Sequence, residues 1–152
     1  MLLTQILQPT CIKAPLNSKD KGAAIEELVN VLADTGLVSD RTEALEAVLA
    51  REETRSTGIG SGIAIPHGKC AAVKELVMAI GIASAPIEFE SIDNKPVQII
   101  VLLVSPPDQT GPHIQALARI SRLLLDAQFK AQLEKAETPE QVYTLVSNKE
   151  TE

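Results

Sequence analysis

Aromatic residues are scarce in this 152-residue chain. It contains no tryptophan, one tyrosine and two phenylalanines, which together make up 2% of the sequence. Proteins often hold nucleic-acid bases and sugar rings by stacking them on aromatic side chains, so direct, tight sugar binding is disfavoured. The chain also carries 20 acidic against 14 scattered basic residues, a formal net charge of −6. Because a nucleic-acid backbone attracts clustered Lys and Arg, no nucleic-acid partner is predicted.

Cysteines and long apolar runs are also few. Cys11 and Cys70 have no metal-ligand spacing, and one bridge would be a poor framework for a secreted domain, so reduced thiols are expected. The best apolar run, residues 97–104, is far shorter than a bilayer requires. The N-terminal segment also has neither the basic region nor the long apolar region of a signal peptide. These features predict a cytoplasmic protein, and neither a metal nor another cofactor is predicted.

The chain does contain enough apolar material for one core. Hydrophobic residues make up 45% and charged residues 22% of the sequence, which is ordinary for a globular protein. We therefore predict a single domain over residues 1–152, with a core of about 3–147. Helical patterns flank a cluster of strand patterns, which predicts a layered α/β fold with a mixed β-sheet.

Two helices are predicted in the first third of the chain. The first has an apolar stripe at helical spacing, made up of Ile25, Leu28, Val29 and Leu32. Ser18 is predicted to be its N-cap, and Gly36 to lie just beyond its C-terminal end. In the second, Asp40 and Glu43 resemble a capping box, and the helix is predicted to run to about Arg51.

Three strands are predicted in the middle of the chain, at residues 77–83, 87–90 and 97–104, with a turn at 93–95 between the last two. The run at 97–104 is apolar with little interruption. Such a run favours a central strand that is covered on both faces.

Three helical segments are predicted after residue 105. One begins near Pro112 with His113 in its first turn, and Phe129 lies in the next. Thr138 is predicted to begin the last helix. The inward stripe of the first of these helices is predicted to consist of Ile114, Leu117, Ala118, Ser121, Leu124 and Leu125.

The most unusual local composition is the segment STGIGSGIAIPHGK at residues 56–69, called the glycine segment below. Its glycines do not match a Walker loop, because Gly62 is one residue too far from Gly68 and Cys70 replaces the magnesium-binding hydroxyl. They do not match the dinucleotide motif GxGxxG either. What remains is a segment whose backbone N–H groups can approach an anion beside His67, which lies between Pro66 and Gly68.

This combination is suited to a phosphorylated imidazole. A neutral ring nitrogen can attack phosphorus while a hydrogen bond to the other nitrogen fixes the tautomer. Phosphoryl transfer also needs donors and cations around the equatorial oxygens. His67 is therefore the predicted acceptor. His113 and Arg51 are the other candidate catalytic residues, and the candidates for phosphoryl binding are Ser56, Thr57 and Gly68.

Simpler interpretations of the same residues stay open at this point. His67 could be an ordinary surface histidine, His113 a polar residue in a first helical turn, and Arg51 a cation at a helix end. A zinc hydrolase is disfavoured because the two histidines lie 46 positions apart and form no HxxxH or HxH pair. A nucleophilic pair of Cys70 and His67 lacks any recognisable third group.

The segment at 56–69 closely resembles the phosphorylation-site motif of enzyme IIA domains of the phosphotransferase system, of the fructose, mannitol and nitrogen-regulatory type. The resemblance continues through FESIDNKPVQIIVLLVSPPDQ and HIQALARISRLL to the C-terminal helix. It implies a three-layer α/β/α sandwich with a mixed sheet. It also implies that His67 accepts a phosphoryl group on Nε2, that His113 helps to bind and stabilise that group, and that Arg51 is the functional arginine.

The resemblance leaves two functions open. In the first, phospho-HPr is the donor and a cysteine of an enzyme IIB is the acceptor in sugar uptake. In the second, the phosphorylation state of His67 decides which regulatory target proteins bind. The absence of an attached HPr, enzyme IIB or membrane domain favours the regulatory branch. In either case the protein is expected to meet the membrane only through a partner, and the oligomeric state is open, with a homodimer as one alternative.

Overall fold

The apolar run predicted to be a central strand is the strand around which the sheet is built. The computed structural model of the protein describes residues 2–151. After a short 3-10 turn at Leu3–Gln5, the elements in chain order are β1 (Leu7–Leu16), α1 (Lys21–Asp34), α2 (Arg41–Thr54), β2 (Gly58–Gly60), β3 (Ile63–Ala64), β4 (His67–Lys69), β5 (Val77–Ile87), β6 (Val97–Ser105), α3 (Thr110–Leu123), α4 (Ala127–Glu134) and α5 (Pro139–Glu150).

The sheet is mixed, as predicted. Its strand order is β1-β5-β6-β3-β2, and β4 pairs with β6 beyond the end of β3. The pairs β1–β5, β3–β6 and β4–β6 are parallel, whereas β5–β6 and β2–β3 are antiparallel. Strand β6 therefore has neighbours along both edges, which confirms its central position.

Two cores, one on each face of the sheet, account for the largely apolar character of β6. Ile100, Leu102 and Val104 pack with residues of α1 and α2. Ile99, Val101 and Leu103 pack with residues of α3, α4 and α5. Side chains of a strand point alternately to opposite faces, so a strand with helices on both sides is apolar on both faces instead of alternating with polar residues. The predicted three-layer α/β/α sandwich is confirmed.

The helix ends follow their capping residues, with two corrections. Asp20, not Ser18, caps α1 by accepting a hydrogen bond of 2.8 Å from the backbone N–H of Ala23. The Ser18 hydroxyl instead donates to Glu27, since the helix begins two residues later than expected. Asp40 caps α2 as predicted, but this helix continues beyond Arg51 to Thr54.

The other end signals are confirmed. Gly36 follows α1 with a φ of +82°, the left-handed conformation that favours glycine. Thr138 caps α5 and forms a reciprocal capping box with Gln141. Phe129 lies in α4 and is buried, as expected for the second of the C-terminal helical segments.

Among residues 2–151, no helix combines the length and the apolar character needed to cross a membrane.

The strand predictions need three corrections. β1 was not among the predicted strands. Its two prolines and its polar residues are typical of an edge strand rather than of a core strand. The separate strand at 87–90 was wrong, since Ile87 still pairs with Val97 and ends β5. The glycine segment contains the short strands β2, β3 and β4, with a turn at Ser61 and Gly62, both of positive φ, between the first two.

The predicted inward stripe of α3 was wrong in part: Leu124 is buried and Leu117 packs against the core as expected, but other members are exposed. Ile114 is 59% exposed and Leu125, just beyond the helix, is 83% exposed. The buried residues of this helix are His113, Ala116 and Ile120. The buried face follows the helical period from His113, so much of the predicted stripe lay one residue beyond it.

The corrected face of α3 can be tested with two substitutions of the same kind. Ile120→Ala should lower the free energy of unfolding by about 2–5 kcal/mol, because it removes a buried side chain from the core. Ile114→Ala, on the exposed side of the same helix, should change it by no more than about 0.5 kcal/mol. Urea unfolding curves of both variants decide the point. Equal losses would contradict the assigned face.

Candidate active site

His67 is the first residue of β4 and is fixed by the sheet. Its partner in the parallel register is Leu103 of β6, and the backbone N–H of Leu103 donates to the carbonyl of Pro66 over 3.1 Å. The residue is half-buried. The position of the imidazole therefore depends on the central strand and not on a loop.

The orientation of the His67 ring is set by one hydrogen bond. Nδ1 lies 2.8 Å from the backbone carbonyl oxygen of Ile65. A carbonyl oxygen can only accept, so Nδ1 is the donor, and in the neutral ring the lone pair is on Nε2. Burial lowers the pKa of His67 below its usual value, and the positive charges of Arg51 and Lys69 lower it further. The bond to Ile65 and the charge of Glu52 act in the opposite direction.

His113 is brought next to His67 from a different part of the chain. It lies in the first turn of α3, is 3% exposed, and its ring centroid is 5.3 Å from that of His67 at an interplanar angle of 64°. Its Nδ1 lies 2.6 Å from Oγ of Ser105 at the end of β6. Burial lowers the pKa of His113 to about 4, with repulsion from His67 and Lys69 as further causes. The ring is therefore neutral near pH 7.

Arg51 provides positive charge at this site from the last turn of α2. Its Nη1 donates to the backbone carbonyl of Arg55 over 3.0 Å, which ties the side chain to the residue that follows the helix. Its charge is one of the causes that lower the pKa of His67. The structure thus brings together His67, His113 and Arg51, the three predicted catalytic candidates.

The hydroxyls of Ser56 and Thr57 are engaged with other protein groups. Oγ of Ser56 donates to the backbone carbonyl of Phe89 over 2.7 Å. Oγ1 of Thr57 donates to Glu52 over 2.5 Å. Both hydroxyl hydrogens are therefore committed to holding the start of the glycine segment, and phosphoryl binding by these two side chains stays a prediction.

Glu52 was not singled out from the sequence, although it is a buried carboxylate next to Arg51. It accepts a hydrogen bond of 2.9 Å from the backbone N–H of Thr57 and forms an ion pair of 2.9 Å with Lys21. Its position was available from the helical period, because it follows Ala44 and Val48 on the buried face of α2. Glu52 ties α2 to the glycine segment.

Gly68 allows β4 to approach α2 closely. A Cβ atom at this position would lie 3.0 Å from the backbone nitrogen of Val48 and 3.1 Å from the carbonyl carbon of Ala47. A larger residue would push the strand away from the helix. The structure thus gives Gly68 a packing role, and its part in phosphoryl binding also stays a prediction.

Lys69 is a further cation that the sequence did not single out. It lies two residues after His67 in β4, so its side chain is on the same face of the strand. Its Nζ donates to Oγ1 of Thr110 over 3.0 Å, and its charge lowers the pKa of both His67 and His113. The sequence feature that could have identified Lys69 is its position two residues after His67, which puts both side chains on the same face of a strand.

The two rival chemistries gain no support from the geometry. Among residues 2–151, no three His, Cys, Asp or Glu side chains come close enough together to hold a metal ion. Cys70 packs in the core on the α1–α2 side of the sheet, and burial raises the pKa of its thiol. Since the thiolate is the nucleophilic form, this environment is unfavourable for a Cys70 nucleophile.

A family comparison agrees with this geometry. The family described as "Phosphoenolpyruvate-dependent sugar phosphotransferase system, EIIA 2" matches residues 5–149. The chain belongs to this family.

Its relatives include sugar-specific and nitrogen regulatory proteins. It is 35% identical over 147 residues to the fructose-specific EIIABC component of Bacillus subtilis, covering 97% of this chain but only 23% of that protein. It is 34% identical over 151 residues to the nitrogen regulatory protein of Escherichia coli, covering 97% of this chain and 91% of that protein. The identities are nearly equal, so they do not separate the two branches.

Solved structures show the same fold. Nitrogen regulatory protein IIA-Ntr from Neisseria meningitidis superposes with a TM-score of 0.86 at 29% identity, covering 95% of this chain and 98% of that one. The enzyme IIA chain for mannitol in a complex with phosphorylated enzyme IIB, from Escherichia coli, gives a TM-score of 0.78 at 20% identity. It covers 93% of this chain and 99% of that one, and at this identity the likeness shows the fold alone.

The lowered pKa of His113 predicts a pH dependence of stability. The pKa is 6.5 for the free side chain and about 4 in the folded protein, so the unfolded chain binds a proton first as the pH falls. The free energy of unfolding should therefore decrease as the pH falls from about 6.5 to 4, by up to about 3 kcal/mol from this group.

Chemical unfolding of the wild type and of His113→Gln across this pH range isolates the contribution of His113 to the free energy of unfolding. Carboxylates with lowered pKa, such as Glu27 and Glu150, also lose stability in acid, but they are present in both proteins. The difference between the two curves should therefore change with pH only in this window. Parallel curves would show that His113 keeps an ordinary pKa.

Proposed function

We propose that this protein is a cytoplasmic histidine phosphocarrier that accepts a phosphoryl group on Nε2 of His67 and passes it to a partner protein. The observation that carries the proposal is the hydrogen bond from Nδ1 of His67 to the carbonyl of Ile65. It holds the ring in the tautomer whose Nε2 has a free lone pair, which is the form that can attack phosphorus. Family membership supports phospho-HPr as the donor class and an enzyme IIB as the acceptor class, and both are tested below.

In the accepting step, Nε2 forms a bond to phosphorus while the bond from phosphorus to its leaving atom on phospho-HPr breaks. No proton has to leave Nε2, because the proton of the neutral ring is on Nδ1. The ring becomes positively charged when it is phosphorylated, and the carbonyl of Ile65 stabilises that charge through Nδ1–H. The lowered pKa of His67 keeps the ring unprotonated near pH 7, so its lone pair is available.

The groups around His67 favour binding of the transferred phosphoryl group. Arg51 and Lys69 provide positive charge next to His67, and His113 provides a neutral ring 5.3 Å from it, centroid to centroid. Charge spread over the equatorial phosphoryl oxygens is stabilised by such fixed donors and cations. Onward transfer reverses the step, with a cysteine thiolate of an enzyme IIB as the proposed acceptor.

A second candidate function is regulation of the nitrogen type, in which targets distinguish the phosphorylated from the free protein. The superposition with the IIA-Ntr structure at a TM-score of 0.86 favours keeping it. Phosphorylation would add roughly −1.5 to −2 charges to a protein with a net charge of −6. A change of that size can exclude an acidic target or attract a basic one. Both functions use the same phosphorylated His67.

The proposal is tested by the intact mass of the protein after incubation with phosphoenolpyruvate, enzyme I and HPr. The wild type should gain one acid-labile phosphoryl group, and His67→Ala should gain none. His113→Ala should keep some acceptance and lose mainly onward transfer, which makes it the matched control for loss of a histidine at this site. Full labelling of His67→Ala would contradict the assignment.

A second arm separates the two functions. Addition of an enzyme IIB that has its acceptor cysteine should discharge the phosphorylated protein if it serves sugar uptake. If it serves regulation, the phosphoryl group should stay and the phosphorylated and free forms should bind different proteins. A wild type that gains no phosphoryl group from competent carriers would overturn the phosphocarrier proposal as a whole.

A further inference from the structure

Ser105 has a buried hydroxyl in contact with His113, and the function proposed above does not use it. The residue ends β6, its relative exposure is 0%, and its Oγ lies 2.6 Å from Nδ1 of His113. This separation is at the short end for a hydrogen bond between nitrogen and oxygen, so the two groups are in direct contact. The contact decides where the hydrogen of the neutral His113 ring is located.

Two arrangements of this contact are chemically possible. If Nδ1 of His113 carried the hydrogen, it would donate to Oγ, and the Ser105 hydroxyl hydrogen would need another acceptor. Within residues 2–151, His113 is the side chain hydrogen-bonded to that hydroxyl, and no second acceptor lies within hydrogen-bond distance of it. A buried donor without an acceptor is costly. The favoured arrangement therefore has Ser105 donating to Nδ1, which puts the ring hydrogen on Nε2.

Strand register fixes this serine relative to His67. In the parallel β4–β6 pair, His67 is opposite Leu103 and Lys69 is opposite Ser105. Leu103 and Ser105 are two residues apart on one strand, so their side chains project to the same face. The carbonyl of Ser105 also accepts from the N–H of Cys70 over 3.0 Å. The same strand pair thus holds His67 and the serine that orients His113.

We propose that Ser105 is a positioning residue that donates to Nδ1 of His113 and keeps the hydrogen of that ring on Nε2. His113 then presents a hydrogen-bond donor to a phosphoryl group on His67, where an unprotonated nitrogen would repel the phosphoryl oxygens. The tautomer of His113 is a property of the free protein alone. Its role as a donor to the phosphoryl group rests on the proposed phosphorylation of His67.

The tautomer can be measured directly in the free protein. Two-bond proton–nitrogen correlation spectra of ¹⁵N-histidine-labelled protein at pH 7 should show His113 with its hydrogen on Nε2. In Ser105→Ala, the same ring should change to Nδ1–H or to a mixture. Ser91→Ala is the matched control, because Ser91 is also buried but its Oγ has no hydrogen-bond partner within residues 2–151, and it should leave the His113 signals unchanged.

Either of two results would overturn the proposal: a wild-type His113 with its hydrogen on Nδ1, or a folded Ser105→Ala that keeps only Nε2–H. Backbone amide spectra show whether the variant has folded. If Ser105→Ala does not fold, Ser105→Cys takes its place, because it keeps the approximate volume with a much weaker donor. It should show the same change in a milder form, and an unchanged tautomer would likewise overturn the assignment.

The consequence for phosphoryl chemistry is tested separately. Ser105→Ala should slow phosphorylation of His67 from phospho-HPr by about tenfold, as expected when one donor to a charged group is lost. Ser91→Ala should keep the wild-type rate. If the tautomer changes but the rate does not, the role of His113 as donor is overturned. If the wild type is never phosphorylated, the proposed function fails, whereas the tautomer result still decides the role of Ser105.

Discussion

The hydrogen bond between Nδ1 of His67 and the carbonyl of Ile65 is the interaction on which the proposed chemistry depends. Donor and acceptor are two positions apart in the chain, so the bond forms only if the backbone from Ile65 to His67 is held in one conformation. That backbone is held by β6, through the bond between the N–H of Leu103 and the carbonyl of Pro66. The choice of nucleophilic nitrogen is therefore a consequence of strand pairing.

The same strand connects the rest of the site. On one face of the sheet, β6 ends at Ser105, which contacts His113 of α3. On the other face, Gly68 lets β4 lie against α2, the helix that carries Arg51. Glu52 then ties α2 to the glycine segment through Thr57. Groups from both helix layers meet beside His67 because only the short strand β4 and the end of the central strand β6 lie between them.

Local signals in the sequence predicted the elements well and the contacts poorly. Capping by Asp40 and Thr138 and the apolar run of β6 were readable because each depends on neighbouring residues. β1 was missed because an edge strand tolerates prolines and polar residues. The buried face of α3 was misjudged because it includes His113, whose polar ring is satisfied by a residue of another element.

For the candidate site, too, the residues could be predicted from the sequence, whereas their contacts could not. His67, His113 and Arg51 were identified by residue type and by a family resemblance, and the structure places them together. The engagement of the Ser56 and Thr57 hydroxyls was not predictable, because their partners Phe89 and Glu52 are known only from the fold. The roles of Lys69 and Ser105 likewise depend on strand register and on packing between distant segments.

The central claim is that the Ile65 carbonyl selects Nε2 of His67 as the phosphoryl acceptor, and it is tested most directly by finding which ring nitrogen carries phosphorus. Phosphorus and nitrogen NMR spectra of the ¹⁵N-histidine-labelled, phosphorylated protein make this assignment without any partner present. The account predicts phosphorus on Nε2, with Nδ1 still protonated. A phosphoryl group on Nδ1 would contradict it, because that product requires the bond to Ile65 to be broken.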